Sequence, residues 1–141
     1  MSDRQDVTET LTAVAATARS GVIDTSGKRD IVFSVEFSTV AAGAGDTIDV
    51  IVQHTNADSG TYGGSTSDNY WETFNTFAQV AGNATTPYIR HMDMSQSLLN
   101  ATTTNVRRSI GRWARWKYTV AGGTAAFTGK LRMSYNVAIT Q

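Results

Sequence analysis

Seven carboxylates, Asp24, Glu36, Asp46, Asp49, Asp58, Asp68 and Glu72, have the widest chemical range of any side chains in this sequence. Two of them facing each other across a sugar would be the machinery of glycoside hydrolysis. Nothing in their spacing pairs them. The other catalytic patterns are missing. The chain has no Gly-x-Ser-x-Gly motif and no Ser-His-Asp pattern. It also lacks a glycine loop followed by Lys-Ser or Lys-Thr to cradle a phosphate. With no cysteine, thiol nucleophiles, thiolate metal sites and disulfides are excluded. His54 and His91 fall in segments that read as strands, without a second ligand at metal spacing, and read as strand-end or surface histidines. Asn56-Ala57-Asp58-Ser59-Gly60 sets oxygen ligands at alternate positions before a glycine, as calcium loops do. The later bidentate glutamate is absent, so the segment reads as a solvated loop. The expectation is a protein that binds rather than catalyses, with no cofactor and no metal.

Two constellations suit binding. Trp71, Trp113, Trp116, Tyr62 and Tyr70 can form an aromatic platform for sugar rings or for a protein partner. Trp116 shares an apolar phase with Tyr118 and is expected in the core. Trp113 falls in the opposite phase, beside Arg115 and Lys117, and is expected at an interface or stacked on neighbouring arginines. The second constellation is charge. Residues 1–93 hold all twelve acids and five cations, while residues 94–141 hold seven cations and no acid. If residues 109–139 form a hairpin, Arg115 and Lys117 share a polar face with Lys130 and Arg132. Three readings of that face follow, in descending order. The cations pair with carboxylates on other strands, among them Glu36, Asp49, Glu72 and Asp93. They dock on an acidic surface, including that of a second copy. They bind nucleic acid, which a chain of zero net charge supports least, and no nucleic-acid partner is expected.

These residues need strands to hold them. From Phe127 to Ile139, large apolar residues alternate with Thr128, Lys130, Arg132, Ser134 and Asn136, a period of two. Ala114, Trp116, Tyr118 and Val120 alternate likewise, and Ala121-Gly122-Gly123-Thr124 supplies a turn between the two runs. Ile31, Phe33, Val35 and Phe37 form another run, and Ile48, Val50, Val52 and His54 another. Trp71 to Val80 and Tyr88 to Met94 also read as strands. Asn56 to Tyr70 reads as a polar loop. Ser95 to Asn105 reads as a loop with at most one helical turn.

About eight strands at close spacing predict an all-β fold, a two-sheet antiparallel sandwich of jelly-roll type. Residues 1–20 are expected to be an arm or edge strand and residues 21–141 the sandwich. At 141 residues the chain is the size of one domain. No apolar run approaches membrane-spanning length and the first residues lack a signal core, so a soluble protein with no membrane partner is expected.

The strand with Ile48-x-Val50-x-Val52-Gln53, the stretch from Trp71 to Phe77, and Arg112-Trp113-Ala114-Arg115-Trp116 with its glycine turn and long final strand resemble small structural proteins of tailed bacteriophages. The resemblance covers residues 20–139 and is to the jelly-roll decoration, or cement, proteins of phage heads. It implies a place on the outer surface of the virion head, reached from the host cytoplasm. The major capsid protein is the implied partner, and the implied self-assembly is a homotrimer. An interface through Trp113, Arg115, Lys117, Lys130, Arg132, Tyr62 and Tyr70 follows from the two constellations. The alternatives are a carbohydrate-binding jelly-roll module touching host glycans and a tail or head-completion component.

Overall fold

The computed structural model describes residues 4–40, 43–58, 67–82, 88–93, 96–101 and 104–137, and the side chains of 4–37, 43–58, 67–82 and 110–137. Every regular element among them is a strand. In chain order these are β1 (Arg4–Val14), β2 (Ala18–Arg19), β3 (Ile23–Asp24), β4 (Lys28–Val40), β5 (Thr47–Thr55) and β6 (Glu72–Thr76). Then come β7 (Val80–Ala81), β8 (Tyr88–Asp93), β9 (Gln96–Ala101), β10 (Thr104–Ser109), β11 (Trp113–Ala121) and β12 (Phe127–Val137). One antiparallel sheet has the order β1-β12-β4-β8. The second has β11 and β5 at its centre, with β2 and β3 on the far side of β11 and β6 and β7 on the far side of β5. The expected two-sheet sandwich is therefore present. The strand count exceeds eight because β2, β3 and β7 are two-residue pieces and β9 and β10 form a separate ribbon.

Period-two alternation builds the core. Ile31, Phe33, Val35 and Phe37 from β4 and Phe127, Leu131 and Met133 from β12 face Ile48, Val50 and Val52 from β5 and Ala114 and Trp116 from β11. Burying each large aliphatic or aromatic side chain contributes roughly 1.5–3 kcal/mol. Across the gap the rings of Phe33 and Trp116 meet edge to face, with centroids 5.1 Å apart.

The structure corrects the hairpin expected from 109 to 139. β11 pairs with β5, whereas β12 pairs with β4 and β1, so the two consecutive strands lie in opposite sheets. β4 and β5, also consecutive, part in the same way and run alongside them. The physical reason is that two strands with one apolar face each can bury those faces by turning them toward each other. Alternation alone does not distinguish that from pairing side by side.

The stretch Ser95 to Asn105, expected as a loop, is a second correction. β9 and β10 pair antiparallel with each other, Leu99 opposite Val106. Neither joins a main sheet. Backbone groups make the pairing, so a two-stranded ribbon can form from a segment whose sequence shows no apolar alternation.

One end of the sandwich is locked by Asp46. Its Oδ2 accepts from Gly43 N at 2.8 Å and from Thr124 Oγ1 at 2.6 Å, which joins the β4–β5 turn to the β11–β12 turn. The Thr124 hydroxyl is the main reason the Asp46 carboxyl lies below its ordinary range.

Gly129 permits the close approach of β12 to β4. A Cβ there would sit 2.2 Å from the Glu36 carbonyl oxygen and 2.8 Å from the Phe37 ring, at a shift in strand register. Gly129→Ala is expected to lower the unfolding free energy by about 2 kcal/mol, the cost of overpacking against backbone. Urea unfolding checks this, with a lower midpoint and an unchanged slope as the expected outcome.

Candidate functional site

β11 breaks the alternation rule at one position, and the candidate site is built around it. Ala114, Arg115 and Trp116 are buried in succession. Arg115 belongs to the outward phase, yet its side chain is 0% exposed. The segment from Ser67 to Trp71 lies over it. Arg115 Nη2 donates to the Ser67 carbonyl at 2.7 Å and to Asp68 Oδ1 at 2.7 Å. Its Nε donates to Gln53 Oε1 on β5 at 2.9 Å. The guanidinium lies 4.1 Å from the centre of the Trp71 ring.

Asp68 gathers the other cations of this face. Arg19 on β2 donates to it through Nε at 2.9 Å and Nη2 at 2.6 Å, a two-pronged contact. Lys117 Nζ donates to Oδ2 at 2.7 Å, and Gln53 Nε2 to Oδ1 at 3.3 Å. The Arg19 hydrogen bonds above all hold the Asp68 carboxyl well below the usual carboxylate range. Partial burial opposes them, and Lys117 and Gln53 add to them. Burial pulls the Arg115 guanidinium below its ordinary value more strongly than Asp68 raises it, and Arg19 adds to the lowering. Asp68 thus compensates a buried cation and fastens a loop to the sheet.

The interface residues named from the sequence are divided by this fold. Arg115 and Lys117 lie under or beside the fastened loop. Trp113 is half-buried on the same face, with Arg112 stacked 4.9 Å from its ring centre. Tyr70, next to the loop's anchor, is 51% exposed. Lys130 and Arg132 belong to the other sheet. Lys130 is exposed between Thr10 and Glu36 in register, and Arg132 is half-buried between Thr8 and Ser34. The one-signed face does not form, since its two halves sit on opposite sides of the sandwich. Tyr62 lies outside the described residues. Trp71 is buried against the Arg115 guanidinium and Trp116 is core, so neither serves as a sugar platform.

Several of the other chemical candidates are engaged structurally. His54 Nδ1 accepts from Gly111 N at 2.8 Å, and its ring lies 4.8 Å from that of Phe74. His91 is placed by its backbone opposite Ser34. Asp24 accepts from Ser26, and Asp49 from Gln79. Of the calcium-like loop, Ser59 and Gly60 lie outside the described residues. Among the described residues no three His, Asp or Glu side chains converge as a metal site would need. A cleft of about 250 Å³ is lined by His54, Thr55, Asn56, Tyr70 and Glu72. A groove of about 140 Å³ opens between β1 and the segment before β3, lined by Val7, Glu9, Ser20, Gly21, Val22, Ile23 and Trp116.

Sequence reasoning missed Asp68 as the hub, because its cationic partners stand 47 to 49 positions away. The available signal was Arg115 itself, a cation between two core residues of one strand.

No protein-family model matches the chain, and no curated protein matches its sequence. Solved structures give loose likenesses. One is a chain from the disulfide-linked pili of Bacillus endospore appendages, 18% identical, covering 99% of this chain and 88% of that one, with a TM-score of 0.36. Another is from a structure of infectious bursal disease virus, Gx strain, 13% identical with a TM-score of 0.44. That match covers 97% of this chain, which spans only 33% of the viral one.

Proposed function

We propose that this chain is a structural subunit of a phage particle, which binds the outer surface of the capsid shell and stabilises it by contact, without catalysis. The observation that carries this reading is where the resemblance motifs meet. Arg115 touches both Gln53 and Trp71, so three separate motifs meet at one guanidinium. Phe77 and Trp116, from two of the same motifs, pack with ring centroids 5.8 Å apart. The motif residues thus hold a loop rigidly on a sandwich and present Tyr70 at its edge. A clamp requires this kind of pre-organised surface and no reacting groups. Many copies on a lattice add weak contacts by multivalency.

The test is binding of the purified protein to shells that lack it, followed by heating of the shells. Binding and a higher shell melting temperature are expected. Tyr70→Ala with Trp113→Ala is expected to weaken binding about thirtyfold, the effect of losing an aromatic anchor. Absence of binding, with shells equally stable in either state, overturns the reading.

A second reading, a carbohydrate-binding module, is favoured by the 250 Å³ cleft beside Tyr70. Its volume lies below the range for drug-sized ligands and suits one sugar ring. A glycan-array signal abolished by Tyr70→Ala supports it, and a blank array excludes it.

A further inference from the structure

We propose that the free edge of β1 is a self-association surface, on which the β1 strand of a second copy pairs antiparallel about a two-fold axis through Val7. β1 stands at the end of its sheet, paired along its length with β12 on one side. Among the described residues nothing pairs with its other side. The strand carries no proline or lysine, its bulge between Leu11 and Val14 lies outside the span from Arg4 to Thr10, and its inward charge, Glu9, is met by Gln5 in the pairing about Val7. Exposed large hydrophobic residues among the described residues are Tyr70 and Val137, which are no basis for a hydrophobic patch. Backbone pairing is the route to association that this surface offers.

The side chains select the occupant and the register. Val7, Glu9 and Leu11 face inward, Val7 and Glu9 bordering the 140 Å³ groove over Trp116. An added strand puts alternate side chains over that groove. Centred on Val7, the pairing sets Val7 opposite Val7, Gln5 opposite Glu9, Asp6 opposite Thr8 and Arg4 opposite Thr10. Gln5 Oε1 already accepts from Tyr135 Oη at 3.1 Å, so the Gln5 amide N–H groups are the ones presented to the Glu9 carboxylate. The Thr8 hydroxyl can donate to Asp6, which has capacity beyond the bond it accepts from Ser134 Oγ.

Of the other registers that keep inward residues together, a centre at Gln5 sets Arg4 opposite Asp6 but overlaps only Arg4, Gln5 and Asp6 among the described residues, and the rest are worse. A centre at Asp6 opposes two aspartates, and a centre at Glu9 opposes two glutamates. A centre at Thr8 sets Glu9 against Val7. Like charges directly opposite destabilise strand pairs, so the Val7 register is the complementary one. It joins two four-stranded sheets into one.

Sedimentation equilibrium over a concentration series tests this. The expected mass is twice the 15.2 kDa of the chain. Gln5→Glu opposes Glu9 with a like charge twice, by symmetry, and still accepts from Tyr135. It is expected to weaken the dimer about tenfold. Adding Glu9→Gln restores a carboxylate–amide pair and brings the dimer back. Circular dichroism melts of the three proteins establish that each is folded. A monomer at all concentrations, a mass of three chains, or a dimer indifferent to Gln5→Glu overturns the proposal. Shell binding by the Gln5→Glu variant is scored separately, so the two readings fail independently.

Discussion

Asp68→Asn is expected to lower the unfolding free energy by about 3 kcal/mol and the melting temperature by about 10 °C. Removing one partner of a buried ion pair costs about 3–5 kcal/mol, because the other charge is left without compensation. The lower end applies here for a geometric reason. The Arg19, Lys117 and Asp68 side chains are 20%, 22% and 35% exposed, so Arg19 and Lys117 can turn to water. Arg115, at 0%, cannot. The penalty is that of one stranded guanidinium, screened in part by solvent at the mouth of the site. Differential scanning calorimetry measures it. A drop under about 3 °C, the equivalent of about 1 kcal/mol, would show that Asp68 is an ordinary surface acid.

The same carboxylate sets an acid limit. Its proton affinity is depressed in the folded state, whereas an unfolded aspartate titrates near about pH 3.9. Its contribution is therefore fully present above the unfolded value and is lost as pH falls through the lower folded one. The stability gap between the parent protein and Asp68→Asn is expected to stay constant from about pH 7 to about pH 5, then narrow below about pH 4. A gap that closes already near about pH 6 would point to a histidine instead.

The strands were legible from their apolar phase. Ile31 to Phe37, Ile48 to Val52 and Phe127 to Tyr135 are buried at alternate positions as read. Their assignment to sheets was not. Alternation records that a strand has one dry face and is silent about which layer it joins, so β11 and β12 looked like partners. The candidate site was legible in pieces only. Gln53, Trp71 and Arg115 each stand in a segment that carries the resemblance, yet the phase of Arg115 points outward, to a polar face. Outward is wet only if no loop covers it, and the covering depends on Asp68, a contact that spacing does not encode. The groove on β1 was out of reach for a related reason. It forms where two sheet edges meet, and that depends on which layer each strand enters.

Arg115→Ala removes a fully buried side chain from under Trp71 and leaves Gln53 Oε1 and the Ser67 carbonyl without their donor. A cost of about 3 kcal/mol follows from the cavity and the orphaned acceptors together. Arg115→Met keeps an apolar stem against Trp71 and removes the buried charge. Asp68 retains Arg19 and Lys117, so only the two orphaned acceptors count, about 1–2 kcal/mol. In that background no buried charge depends on Asp68 and the buried Gln53 amide can still donate to the asparagine oxygen, so Asp68→Asn is expected to cost at most about 1 kcal/mol, the range of exposed pairs. The cycle therefore predicts a coupling of about 2 kcal/mol between Asp68 and Arg115, read by urea unfolding of the four proteins. If the two changes simply add, the loop is held by Arg19 and Lys117, and Arg115 is a packing residue that happens to carry a charge. If they couple as expected, the buried arginine is what makes the Ser67 to Trp71 segment, and Tyr70 within it, a fixed part of the sandwich.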